Sequence, residues 1–313
     1  MKDGQKISVV VPLFNEEKSV AFLHQELISA LKSFSHQFEI IMIDDGSKDA
    51  TFEEIKKLPS VIGIRFSRNY GQTLALAAGI KKATGDVIVT IDGDLENDAR
   101  DISKLVEKLD EGFDVVSGWR KDRWKGSFLS RRLPSLVANW MISWVTKTML
   151  HDHGCTLKAY KREILQNLRL SGEMHRMIAA YASLLNGALV TEIPVNYRVR
   201  RFGSSKYGPF RIFRVLLDLI ALYFFYKYAN RPMHFFGGAG LMSFFLSFVF
   251  FLTMLYFKYV LGITFIETPL PIMTTLFAII GVQFILMGLL AELLLKQSSS
   301  PQVPIIKEEV QRD

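Results

Sequence analysis

Two stretches near the C-terminus constrain this chain most. Met233–Phe257 and Thr268–Ala291 contain no Asp, Glu, Lys or Arg. As helices rising ~1.5 Å per residue, each outruns a hydrocarbon layer of ~30 Å. A buried core helix rarely needs so long a run, so two transmembrane helices are expected. Arg198, Arg200, Arg201, Lys206, Arg211, Arg214, Lys227 and Arg231 crowd the approach to the first span, and Lys296, Lys307 and Arg312 follow the second. The loop between them, Lys258–Glu267, carries one charge of each sign. The positive-inside rule then predicts an inner-membrane, multi-pass protein with both termini in the cytoplasm. The formal charge of +7 reads as attraction to anionic lipid and phosphate rather than to nucleic acid, because the basic residues adjoin the spans. Met1–Lys6 is polar and leads into the short apolar run Ile7–Val11, which ends at Pro12 and reads as a strand rather than a signal peptide. The single cysteine, Cys155, excludes an internal disulfide and suits a reducing cytosol.

The first hundred residues alternate strand and helix. Ile7–Val11, Glu39–Ile43, Val61–Phe66 and Asp86–Ile91 read as strands, and Glu16–Phe34, Asp49–Lys57 and Thr73–Ala83 as helices. Short apolar strands separated by helices predict an α/β domain with a parallel sheet covered on both faces. Ligands of such sheets bind beyond the carboxyl ends of the strands. A polar cluster follows each strand: Asn15-Glu16, then Asp44-Asp45-Gly46-Ser47, then Ser67-Arg68-Asn69, then Asp92-Gly93-Asp94. Further on, Ser127–Leu150 holds Trp140 and Trp144 with Arg131, Arg132 and Pro134; it suits an interfacial helix or an ordinary amphipathic core helix. Phe210–Tyr228, rich in aromatics, reads as interfacial, and the polar tail after Gln297 as disordered.

Asp92 and Asp94 flank a glycine at a strand end, where their oxygens suit a hard divalent cation that would neutralise a diphosphate leaving group. Glu96 could add a third oxygen. Of the next acidic pair, Asp45 is assigned to a base or ribose and Asp44 to structure, although either could cap the following turn. His151-Asp152-His153-Gly154-Cys155 does not match zinc-ligand spacing. Asp152 is read instead as facing the crevice, as a base or as a group that orients the nucleophile. Arg200-Arg201-Phe202-Gly203-Ser204-Ser205-Lys206 has the charge, hydroxyls and glycine of a phosphate-binding loop, and would also anchor to anionic lipid.

The ordered segments VVVPLFNEE (9–17), IDDGSKD (43–49), SRNYGQ (67–72), IDGDLEN (91–97), DHGCTLKAY (152–160), GEMHR (172–176) and RRFGSSKY (200–207) resemble those of family 2 glycosyltransferases with the GT-A fold. They resemble most the polyprenyl-phosphate glycosyltransferases. The resemblance implies a Rossmann-like GT-A domain over 1–208, a juxtamembrane helix over 209–231, two spans within 232–297 and a cytoplasmic tail over 298–313. It implies that Pro12, Asn15, Glu16, Asp45 and Arg68 line the nucleotide site and that Asp92 meets ribose or diphosphate. Asp94 would hold Mg²⁺ or Mn²⁺, Asp152 would be the catalytic carboxylate, and Arg200, Ser205 and Lys206 would grip phosphates. The implied partners are a nucleotide-sugar (UDP favoured over GDP), a polyprenyl phosphate and the bilayer, with a homo-oligomer left open. A different lipid acceptor is the alternative. Two departures stand out. Glu96 replaces the usual glutamine of Asp-Leu-Gln, and Arg120 precedes Arg123-Trp124 where processive synthases carry a late Gln-x-x-Arg-Trp. The second argues against polymerisation.

Overall fold

The computed structural model describes residues 5–32, 37–121, 143, 148–166, 174–199, 224, 227–228, 231–297 and 306–311. The expected helices over Ser127–Leu150 and Phe210–Tyr228 lie almost wholly outside the described residues. Arg200, Ser205 and Lys206 lie outside them entirely. The chain divides into two compact units, one of residues 1–219 with 303–313, the other of residues 220–302.

The first unit is built on one mixed sheet. Strand β1 (Ile7–Leu13) runs parallel between β2 (Phe38–Asp44) and β4 (Val87–Thr90), and β3 (Val61–Phe66) continues in parallel beyond β2. On the other side β6 (Lys158–Lys161) is antiparallel to both β4 and β5 (Val115–Trp119), and β7 (Val190–Pro194) is parallel to β5. The order is β7-β5-β6-β4-β1-β2-β3-β8, with β8 formed by Ile306–Gln311. The apolar run of β1 is explained by burial on both faces. Ile7, Val9, Val11 and Leu13 pack with Leu23 and Leu27 of α1 (Val20–Lys32), Phe52 of α2 (Thr51–Lys57), and Leu105 of α4 (Ile102–Asp110). Val10 points the other way, with Ile41 and Ile43, toward Ala75 and Leu76 of α3 (Gln72–Lys82) and Ile178 and Ala182 of α6 (Ile178–Asn186). The short α5 (Arg162–Gln166) follows β6 and adds Leu165 to this second core. Full burial of a Val or Leu side chain stabilises by ~1.5–3 kcal/mol, so this double-sided seam fixes the strand register.

Helix α1 begins at Val20, later than the expected Glu16. The backbone N–H groups of Glu16 and Glu17 donate to Thr51 Oγ1 and Asp49 Oδ2, at 2.8 and 3.2 Å, across the loop after β2. Tertiary hydrogen bonds thus claim residues that helix propensity alone would have used. The tail is a second correction. Residues Ile306–Gln311 form β8, antiparallel to β3, with Gly63 opposite Val310 and Arg65 opposite Glu308. Polar composition does not reveal this strand, because strand pairing draws on main-chain groups, and the edge of β3 offers those whatever the side chains are.

In the second unit, α7 (Pro232–Val260) and α8 (Leu270–Gln297) pack on one another. Gly240 and Gly281 permit the approach: a Cβ on Gly240 would lie 3.0 Å from the Gly281 carbonyl oxygen. Ser247 Oγ donates across the pair to the Thr274 carbonyl at 2.7 Å. Both helices are long and apolar enough to cross a membrane, yet only 17% and 11% of their most apolar windows are buried. That is the reverse of a soluble core helix, whose apolar residues are covered by protein.

Deleting residues 306–313 is expected to lower the apparent Tm of the detergent-solubilised protein, by ~2–4 °C for each kcal/mol of pairing lost. Light scattering should also show more aggregation, because the β3 edge is uncovered.

Candidate active site

The ends of β1 to β5 carry the candidate residues. Asp44 closes β2 and is fully buried; its Oδ1 accepts the Ser47 N–H at 2.8 Å and its Oδ2 lies 3.3 Å from Arg65 Nε. Asp45 is also buried, and both of its oxygens are occupied. Oδ1 accepts from Tyr70 N–H at 2.7 Å and Oδ2 from Gly71 N–H at 2.9 Å. Burial raises the Asp45 pKa, and these two N–H groups oppose that rise. Asp45 therefore ties the loop after β2 to the loop after β3. Gly46, at φ +69°, lets them touch, since a Cβ there would fall 2.3 Å from the Arg68 carbonyl carbon. Arg68 is exposed, its guanidinium 5.0 Å from the centre of the Tyr70 ring. Asn15, at φ 56°, donates its N–H to Ser47 Oγ and accepts from Lys48 N–H. Glu16 accepts from Ser19 Oγ at 2.7 Å. Pro12 is buried inside β1 opposite Ile43.

Asp92 follows β4, and each of its oxygens is held: Oδ1 by Gln72 Nε2 and Oδ2 by Thr156 Oγ1, both at 2.7 Å. Burial first, and then the negative charge of Asp94, push its pKa up to about 6, although the Thr156 hydroxyl works the other way. A carboxylate raised by a neighbouring carboxylate fits a place where a divalent cation would relieve the repulsion. Asp94 Oδ1 accepts the Glu96 N–H at 3.1 Å, with Leu95 between them in the left-handed region at φ 62°. Among the described residues no three His, Cys, Asp or Glu side chains gather into a ready cage. Asp92, Asp94 and Glu96 therefore do not by themselves form a three-carboxylate cluster of the kind expected from the sequence.

Asp152 is 8% exposed and lies in a bidentate ion pair with Arg120, which is 5% exposed. Arg120 Nε and Nη2 reach its two oxygens at 2.7 and 3.1 Å, and Gly154 N–H adds a third bond at 3.1 Å. Burial opposes the Arg120 charge, but the Asp152 carboxylate more than compensates and holds the guanidinium protonated. Beneath the pair lies fully buried Lys158, whose ammonium donates to the carbonyls of His153 and Cys155. Burial pushes the Cys155 thiol up to about 11, so it is not a nucleophile. His153 is buried with Nε2 3.1 Å from Ser143 Oγ, and Nδ1 meets no hydrogen-bond partner among the described residues. Burial, and then the charge of Lys158, lower its pKa to about 4.

Sequence reasoning missed Arg120, Gln72, Thr156 and Lys158. Gln72, Thr156 and Lys158 lie inside segments singled out above, and Arg120 directly follows β5. The strand-end position was their available signal. Arg198 needs a correction of another kind. It was counted among the cations facing lipid, but it pairs with Glu26 and Asp98 within the first unit.

A family model for glycosyl transferase family 2 matches residues 8–169. The chain is 41% identical over 296 residues to dodecaprenyl-phosphate galacturonate synthase of Rhizobium johnstonii, covering 92% of this chain and 87% of that one. It is 35% identical over 294 residues to undecaprenyl-phosphate 4-deoxy-4-formamido-L-arabinose transferase of Salmonella choleraesuis, covering 92% and 88%. Glucosyl-3-phosphoglycerate synthase of Mycobacterium tuberculosis shares the fold at TM-score 0.57 and 21% identity, covering 72% of this chain and 81% of that one. A complex of that synthase with Mn²⁺, UDP and phosphoglyceric acid matches at TM-score 0.54 and 21% identity, covering 70% and 79%. This chain is a glycosyltransferase with a GT-A-like sheet. It belongs to glycosyltransferase family 2.

Arg120→Ala should destabilise the protein by ~3–5 kcal/mol, since it strands a buried carboxylate. Arg120→Lys should recover only part of this, because an ammonium cannot make the fork. Denaturant titration reads both. A pH effect follows from His153. Its folded pKa is depressed, so as pH falls from 6.5 toward about 4 the unfolded chain takes up a proton that the fold refuses. Stability should fall over that window by up to ~1.4 kcal/mol per pH unit and level off below it. His153→Gln should flatten this part of the stability–pH curve.

Proposed function

We propose that this chain transfers a sugar from a nucleotide-sugar, with UDP the favoured nucleotide, to a polyprenyl phosphate at the cytoplasmic face of a bilayer. The observation that carries this reading is the row of acidic groups at one end of the sheet, in a chain that also has two exposed apolar helices. Both relatives named above match over 92% of this chain, and both are named for polyprenyl-phosphate chemistry. The proposed division of labour is a glycosyltransferase domain over 1–208 and a membrane part over 232–297, with both termini cytoplasmic.

The reaction is an in-line displacement with inversion. An oxygen of the lipid phosphate bonds to the anomeric carbon, the bond from that carbon to the nucleoside diphosphate oxygen breaks, and the diphosphate leaves with the electron pair. A phosphate monoester with its second pKa near ~6 is already largely dianionic at neutral pH, so it needs little help from a base. The two bonds from Arg120 to Asp152 support an orienting role for that carboxylate. Asp45, Asn15, Glu16, Arg68 and the Pro12 main chain would frame the nucleotide. Arg200, Ser205 and Lys206 would bind phosphate oxygens. Mg²⁺ or Mn²⁺, held by Asp92 and Asp94 with Glu96 as a further donor, would neutralise charge developing on the departing diphosphate. Gln72 and Thr156 hold the Asp92 carboxylate in one orientation for that task.

The test is a donor screen with purified protein in lipid, undecaprenyl phosphate and Mg²⁺ or Mn²⁺. UDP-linked uronates, amino-pentoses and hexoses, and GDP-mannose, are offered in turn. Nucleoside diphosphate release and lipid product mass are followed. Turnover with one donor, abolished by EDTA and by Asp94→Ala, is expected. Asp152→Asn should retain measurable turnover, reduced by less than ~100-fold, where loss of a true general base costs ~10²–10⁴. Loss as complete as in Asp94→Ala would make Asp152 the base. A product only on diacylglycerol or ceramide would overturn the acceptor.

A further inference from the structure

The carboxylate turn carries a conformational cost that its own residues do not meet. Leu95 sits at φ 62°, between Asp94 and Glu96. A branched side chain in the left-handed region costs ~1–3 kcal/mol and persists only where its surroundings hold it. Leu95 is itself buried. Arg100 holds the Asp98 carboxylate locally, with Nη2 on Oδ2 at 2.7 Å, and further restraints come from a segment a hundred residues away. Asn196 donates from its N–H and its side-chain amide to the two oxygens of Asp101, at 2.6 and 3.1 Å. Tyr197 forms an antiparallel bridge with Asn97. The Arg198 N–H donates to the Glu96 carbonyl at 2.8 Å. The Arg198 guanidinium then spans two elements, with Nη2 on Asp98 Oδ2 and Nη1 on Glu26 Oε1 of α1, both at 2.7 Å. A cavity of about 420 Å³ lined by Glu26, Leu95, Arg198 and Val199 adjoins the turn.

We infer that Arg198 is a positioning residue, a clamp that fastens the strained Asp94–Asp98 turn to α1. The inference rests on the donor reading proposed above, in which the turn supplies carboxylates and Arg200–Lys206 supplies phosphate ligands. Arg198 is assigned no contact with donor or acceptor in the proposed reaction. It acts by joining the turn, through Asp98, to Glu26 on α1. The bidentate reach of arginine suits this task, because one planar group engages two carboxylates on separate elements.

The test uses the full chain in nanodiscs, as wild type and as Arg198→Ala, Arg198→Lys and Glu26→Gln. Hydrogen exchange is measured without ligand, and Mn²⁺ binding by paramagnetic resonance with UDP as the probe. Arg198→Ala should speed exchange at the amides of Leu95–Asp98 by ~10-fold or more, leaving β1 and β2 as protected as in wild type. It should weaken Mn²⁺ binding in the presence of UDP by ~10–100-fold, the usual effect of losing a residue that orients metal ligands. Arg198→Lys and Glu26→Gln should fall between the two. Unchanged exchange over Leu95–Asp98 in both Arg198→Ala and Glu26→Gln would overturn the clamp. So would acceleration that spreads equally through the sheet, which marks general destabilisation. Failure of the wild type to bind Mn²⁺ and UDP would defeat the donor reading instead, and the ligand-free exchange still decides whether Arg198 clamps the turn.

Discussion

Strand β1, in parallel register between β2 and β4, is the constraint from which the rest of the first unit follows. Leu13 lies opposite Asp44, and Val10 opposite Thr90. That register brings the loops carrying Asn15, Asp45 and Asp92 out at the same end of the sheet. The register is set by apolar burial on two faces, and a slip of one residue would exchange the α1-facing and α3-facing sets. Hydrogen bonds then complete what burial begins. Asp45 binds the loop after β3, Ser47 binds the loop after β1, and Gln72 from the head of α3 reaches Asp92.

Around this frame the protein buries several charged side chains, among them Arg120, Asp152 and Lys158. Arg120 and Asp152 neutralise each other, Lys158 is met by carbonyl oxygens, and Asp92 is held by two neutral donors. Buried ion pairs contribute little net stability, but removing one partner is costly. Such a cluster fixes geometry rather than adding stability. Asp152 illustrates the consequence: its oxygens already accept bonds from Arg120 and Gly154, which suits an orienting carboxylate better than a free base. The membrane-type helices follow a different logic, with small residues where the backbones meet and apolar residues outward.

Much of this was legible in the residue order. The alternation of strands and helices, the polar clusters at strand ends and the two uncharged runs all follow from local periodicity, and each reappears in the structure. The boundaries did not. Glu16 and Glu17 left α1 because Thr51 and Asp49, remote in sequence, took their N–H groups. The tail became β8 because β3 had an open edge. Arg198 resembled its basic neighbours in sequence, and only Glu26 and Asp98 in space distinguish it.

The sequence by itself determined the fold class, the family and the end of the sheet at which chemistry belongs, because these depend on pattern and on ordered motifs. The tertiary structure decided which charges are paired. Arg120 finds Asp152 from 32 residues away, and Arg198 finds Glu26 from 172 away. The physical reason is that nothing local in the chain names so distant a partner, and that for the buried Arg120 and Asp152 an unpaired charge would be too costly to leave.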